Sequence, residues 1–180
     1  MAFAKKYVVV ILPALILYIV STQQVYAHLM VAQHGTLKLL DDNAFMVLSL
    51  PISAFEGIDD DNDGKITMVE FNNHRADIIE AIKQNVTLGN AKENAPLEGI
   101  MLSPVRPHDA ESQVILQLAV MGRFVLSETE TRLFFHMGLY GELAAEQTLE
   151  ITATRQRDSE KMVFTLTSSS PGSLILPEDS

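Results

Sequence analysis

The sequence predicts a mainly β protein: an antiparallel β-sandwich of about seven or eight strands, interrupted by one inserted loop and one α-helix. Three observations carry that expectation. Apolar and polar residues alternate with a period of two through most of the chain after residue 28, turn-forming clusters punctuate the runs, and a single stretch, Met68 to Gln84, changes to helical spacing. The 180 residues are 47% apolar and 20% charged, which is the composition of a folded domain and not of a disordered tail.

The first 27 residues read as a targeting segment. Lys5 and Lys6 precede a 14-residue apolar run, Tyr7 to Val20, and Val25-Tyr26-Ala27 offers the small residues a signal peptidase requires. A bilayer-spanning helix needs about 20 such residues. The expectation is a signal peptide over residues 1–27, cleaved after Ala27, a periplasmic or secreted location, and one domain over residues 28–180. A domain of about 150 residues buries about 68–70% of its unfolded surface, enough to stand on its core. The chain contains no cysteine, which rules out disulfides and thiolate metal sites, and its net charge of −10 disfavours nucleic acid and anionic lipid as partners.

The strand pattern is clearest from Gln113 to Leu126, where Val114, Leu116, Leu118, Val120, Phe124 and Leu126 share one predicted face and Gln113, Gln117 and Arg123 the other. Gly122 interrupts the inward face and predicts a bulge or bend. Similar runs predict strands over residues 29–40, 44–52, 97–105, 132–140, 148–154, 161–167 and 173–176. Asp41-Asp42-Asn43 reads as a hairpin turn, and further turn signals fall over residues 104–109, 127–130 and 168–172. Between the early and late strands, Met68, Phe71, Ile78, Ile79 and Ile82 recur at helical spacing, and Thr67 with Glu70 fits a capping box at the start of that helix.

Just ahead of the helix stands the acidic stretch GIDDDNDGKITMVEF, Gly57 to Phe71. Asp59, Asp60, Asp61, Asp63 and Glu70 repel one another with only Lys65 nearby. Unit charges about 4 Å apart cost about 1 kcal/mol in water and about 4 near a protein surface. A divalent ion reverses that balance. A twelve-residue calcium loop needs oxygen ligands at positions 1, 3, 5, 7, 9 and 12 and a glycine at 6. These positions fall on Asp59, Asp61, Asp63, the carbonyl of Lys65, Thr67 and Glu70, with Gly64 at the turn and Ile66 as the apolar eighth residue. The stretch resembles the EF-hand family of calcium-binding proteins, and Phe55 and Phe71 stand where that family carries flanking aromatics. The entering helix has only Ser53 to Ile58 available after Pro51. Calcium is favoured over magnesium because Glu70 can supply two oxygens to a larger coordination shell. EF-hands normally pair, and the sequence holds a single loop. The resemblance therefore implies a structural calcium site whose loop leans on the sandwich or on a second molecule, as in a homodimer formed through the unpaired loop.

The histidines raise a second possibility. A chain beginning at His28 can chelate copper or nickel through its amine and imidazole, and His34 lies an even number of residues on, facing the same side of a strand. His136 shares a predicted strand face with Phe134 and Tyr140 and joins such a site only if the strands are neighbours. His74 and His108 read as solvated. Asn85-Val86-Thr87 fits a glycosylation acceptor, Met46, Met101, Met121 and Met162 read as core filler, and the pair Glu128 and Glu130 has no nucleophile or base beside it. No G-x-S-x-G, H-E-x-x-H, phosphate loop or dinucleotide fingerprint occurs, so the sequence predicts no enzyme. The order of signal peptide, histidine, two strands, helix and further strands is similar to the extracytoplasmic domain of bacterial proteins related to hydrogenase and urease accessory permeases. That likeness implies a periplasmic binding or accessory module beside a membrane protein.

Overall fold

The computed structural model describes residues 33–107, 114–127, 132–157 and 159–175. The segment 1–27, His28, His108 and the pair Glu128 and Glu130 lie outside the described residues.

The fold is mainly β and sandwich-like. β1 (His34–Leu40) and β2 (Asn43–Pro51) form an antiparallel hairpin closed by Asp41 and Asp42. Asp41 takes a left-handed φ of 49°, a conformation a short polar side chain tolerates. Their alternation puts Leu37, Leu39, Ala44, Met46, Leu48 and Leu50 on one buried face. After the acidic loop come β3 (Ile66–Thr67), α1 (Met68–Asn73), α2 (Arg75–Asn85) and β4 (Val86–Gly89). The remaining strands are β5 (Leu97–Val105), β6 (Val114–Ile115), β7 (Gln117–Val125), β8 (Leu133–Met137), β9 (Thr148–Arg155), β10 (Glu160–Thr167) and β11 (Gly172–Ile175).

The strands make a six-stranded sheet in the order β10-β9-β1-β2-β7-β5, a three-stranded sheet β11-β8-β4 and a two-stranded ribbon β3-β6. One contiguous core joins them. Leu37, Met46 and Phe124 of the large sheet belong to one buried cluster with Phe135, Leu88 and Ile175 of the small one and Ile78 and Ile82 of α2. Among the described residues, no helix is long and apolar enough to cross a membrane.

Several elements differ from the sequence expectation. The sheet is mixed, because β1 pairs antiparallel with β2 but parallel with β9. The predicted strand over residues 113–126 breaks at Leu116. The Leu116 N–H goes to the Val105 carbonyl and its own carbonyl accepts from Ile52 N–H, so the backbone leaves one ladder for another. The pattern changes phase there: Leu116 is 47% exposed while Gln117 is 7% exposed. The irregularity expected at Gly122 sits on its neighbour, where Gly99 and Ile100 of β5 bulge between the pairs Glu98↔Arg123 and Met101↔Met121. Gly99 has a φ of 61°, as a glycine bulge requires, and a Cβ on Gly122 would meet Leu97 at 2.9 Å. Pro104 lies within edge strand β5, where a missing N–H costs no ladder bond. The predicted helix over residues 68–84 is two helices meeting at His74, whose φ and ψ of −97° and 13° end the first. Met101, expected inside, is 58% exposed.

Candidate metal centre

The acidic loop is built by local backbone bonds to its own carboxylates. Gly64 N–H donates to Asp59 Oδ2 at 2.9 Å, Asp63 N–H to Asp61 Oδ1 at 3.2 Å, and Lys65 N–H to Asp63 Oδ1 at 2.8 Å. The tight path needs positive φ at Asn62, 57°, and at Gly64, 77°, where glycine has no Cβ penalty. The result is a triad. Carboxylate oxygens of Asp59, Asp61 and Asp63 all lie within 4.8 Å of one another, an arrangement that could hold a metal ion. Asp59 Oδ1 is shielded from solvent and has no hydrogen-bond partner in the protein. A buried carboxylate oxygen left without a donor is costly, and a cation is the partner its chemistry fits.

Glu70 closes the loop from behind. Only 6% of this residue is exposed. Its Oε1 accepts from Asp60 N–H at 3.0 Å, and its Oε2 accepts from the Thr67 N–H and hydroxyl, each at 2.8 Å. Glu70 N–H donates in turn to Thr67 Oγ1 at 3.3 Å, completing the capping box the spacing predicted. Of about four lone-pair positions on the carboxylate, three are engaged. The Thr67 N–H, seconded by its hydroxyl and by Asp60 N–H, holds the Glu70 carboxyl below the usual carboxylate range against the opposing effect of burial. At Asp61 the Asp63 N–H pulls the carboxyl down, but burial and the charges of Asp63, Glu70 and Asp59 together outweigh it and raise the group. That is the electrostatic effect of like charges crowded on one another.

The structure thus gathers Asp59, Asp61 and Asp63 and ties Thr67 and Glu70 to the same loop, while Lys65 contributes a backbone N–H to Asp63. Ahead of the loop the chain forms only a 3₁₀ turn, Ile52–Ala54, in place of an entering α-helix. Behind it, Ile66 and Thr67 pair with Ile115 and Val114 of the same chain. Phe55 and Phe71, the flanking aromatics, are 6% and 1% exposed and anchor the loop in the core.

Sequence reasoning missed two supports. His74, at the junction of α1 and α2, lies between two carboxylate acceptors: its imidazolium donates through Nε2 to Asp60 Oδ1 at 2.8 Å and through Nδ1 to Asp77 Oδ2 at 3.1 Å. The bonds to Asp60 and then Asp77 raise the His74 pKa, and the bond from His74 lowers that of Asp60. Asp77 follows His74 by three residues, the spacing at which side chains meet on a helix, which was the available signal for that contact, whereas nothing local signalled the contact with Asp60. The second support is Glu146, whose Oε2 accepts from the Ser53 hydroxyl at 2.8 Å and Leu143 N–H at 3.2 Å, bracing the turn that leads into the loop.

Of the histidines of the transition-metal reading, His34 and His136 lie in different sheets, and His28 is outside the described residues. His34 Nδ1 lies 3.3 Å from Glu150 Oε1 on the large sheet, whereas His136 pairs with Thr87 and Gly172 in the small one. Asn85 of the glycosylation pattern donates through Nδ2 to the Ala81 carbonyl at 2.9 Å. The fold and the site define a β-sandwich carrying an aspartate triad with the donor set of a cation site. Comparison with protein-family models and with curated proteins finds no match.

Proposed function

We propose that the protein is an exported, non-enzymatic calcium-binding module, in which one Ca²⁺ is held by an EF-hand-type loop over residues 59–70 and locks that loop onto the sandwich. The observation that carries this reading is the convergence of three aspartates, one of which, Asp59, also keeps a shielded oxygen without a hydrogen-bond partner. The ligands would be the carboxylates of Asp59, Asp61 and Asp63, the Lys65 carbonyl, Thr67 and Glu70, the last exchanging its bonds to Asp60 and Thr67 for the ion. Oxygen donors alone, without imidazole or thiolate, select a hard cation. The β3-β6 ribbon supports a structural role, since the sandwich itself occupies the place a second loop would fill. The sandwich serves as a binding or accessory module for a protein partner.

Calorimetric titration of the protein with calcium, repeated on Glu70→Gln, tests the reading. One saturable site that the substitution removes is the expected result. Absence of calcium binding by the unsubstituted chain refutes it, and a magnesium affinity equal to that for calcium refutes the choice of ion.

A further inference from the structure

A cleft of about 660 Å³ opens beside the acidic loop, between it and the turn around Glu142 and Glu146. That is the size of a ligand site, typically about 300–1,000 Å³. Its apolar side is made by Ile52, Phe55, Ile66 and Ile115, all buried, with Leu116 standing 47% exposed at the margin. Among the described residues, four carboxylates line it, from Glu56, Asp59, Glu142 and Glu146, against the single ammonium of Lys65. Glu56 and Glu142 are exposed, and Glu146 is held in place by Ser53 and Leu143.

The combination is informative where its parts are not. A lone exposed leucine is ordinary, and an acidic rim on a protein of net charge −10 is expected. An apolar floor ringed by carboxylates, however, presents a low-dielectric wall that concentrates negative potential. The backbone break at Leu116 extends this floor at its margin, because it leaves Leu116 47% exposed beside the buried Ile115. A neutral apolar ligand would leave the rim desolvated and unpaired, and an acidic one would be repelled. A segment that alternates apolar side chains with lysine or arginine satisfies both, since its long cationic side chains lay their stems on apolar surface and keep their heads at the rim.

We infer that this cleft docks a basic, apolar-anchored peptide segment of a partner protein. The inference stands apart from the calcium reading although Asp59 borders both sites. The test is therefore run both with calcium and with chelator, so that a failure of either reading leaves the other measurable. The probe is the fluorescein-labelled pentapeptide Lys-Leu-Lys-Leu-Lys, followed by anisotropy with the full chain. Lys-Ser-Lys-Ser-Lys and Glu-Leu-Glu-Leu-Glu serve as comparison peptides.

Saturable binding of the Lys-Leu peptide is expected, weakened about tenfold or more by Glu56→Gln with Glu142→Gln, and weakened independently by Leu116→Ser. Asp41→Asn with Asp42→Asn removes the same charge at the far end of β2, about 25–30 Å away along an extended strand. That pair is expected to leave the Kd within about twofold. Equal weakening by the two charge-matched pairs would show bulk attraction and overturn the inference. So would absence of saturable binding, or equal affinity for the Lys-Ser peptide.

Discussion

Replacing Tyr140 with phenylalanine isolates a single buried hydroxyl. The ring packs against the core, and Oη is shielded from solvent with no hydrogen-bond partner. Burial pushes the Tyr140 pKa from 10.0 up to about 12. Because the folded value lies above the ordinary one, the stability tied to it is fully present below about pH 10 and is lost as pH rises toward 12. At full strength that gap corresponds to about 2.7 kcal/mol. The residue is only half-buried, so solvent screening reduces the expected contribution to about 1 kcal/mol. At neutral pH, Tyr140→Phe removes an unsatisfied polar atom, and it is expected to be neutral or stabilising by up to about 1 kcal/mol. Toward pH 12 the variant gains about 1 kcal/mol more over the parent, a melting difference of about 2–4 °C. Urea unfolding across the pH range measures the free energies, and tyrosinate absorbance, parent minus variant, reports the titration of Tyr140 alone. The reasoning is refuted if Tyr140 ionises near its ordinary value in the folded protein. A loss of more than about 1 kcal/mol in the variant at neutral pH would equally refute it, by showing that Oη has a partner.

Calcium at about a hundred times its dissociation constant is expected to stabilise the protein by about 2.7 kcal/mol, raising the melting temperature relative to chelator. An unchanged melting temperature counts against a structural ion. Phe135→Ala removes a side chain that is 0% exposed at the centre of the core, and urea unfolding should show a loss of about 3–5 kcal/mol. Gly89→Ala would place a Cβ 2.3 Å from the Glu93 carbonyl oxygen and 2.6 Å from the Asn94 Cα, both backbone. The β4 edge must shift to admit it, at a cost of about 1–3 kcal/mol, and a parent-like melting curve would show that the loop yields freely.

The parts of the fold written in local pattern were legible in the sequence. The β1-β2 hairpin follows from alternation around Asp41 and Asp42, and the acidic loop and its capping box follow from spacing within a dozen residues. What escaped was set by partners far along the chain. Nothing local marks Leu116 as a break, since the cause is its pair of backbone bonds to Val105 and Ile52. β4 has four residues at the end of a helix, too few to show a period, and it is held as a strand by β8. The parallel partnership of β1 with β9 has no sequence signature, because both strands alternate as any antiparallel strand would. At the site, the triad was readable from composition. The His74 contact with Asp60 was not, because it depends on where the helix breaks.

The placement of β1 between β2 and β9 bears on how the chain folds. His34 finds its register partner Glu150 more than a hundred positions later, so the middle of the large sheet closes only when the last third of the chain is available. Until then β1 is an open edge of alternating apolar residues, a template for pairing with another chain. Such non-local closure is slow, because loop entropy must be overcome before the contacts form. The first half of the protein depends on the rest of the chain to cover the strand that organises it.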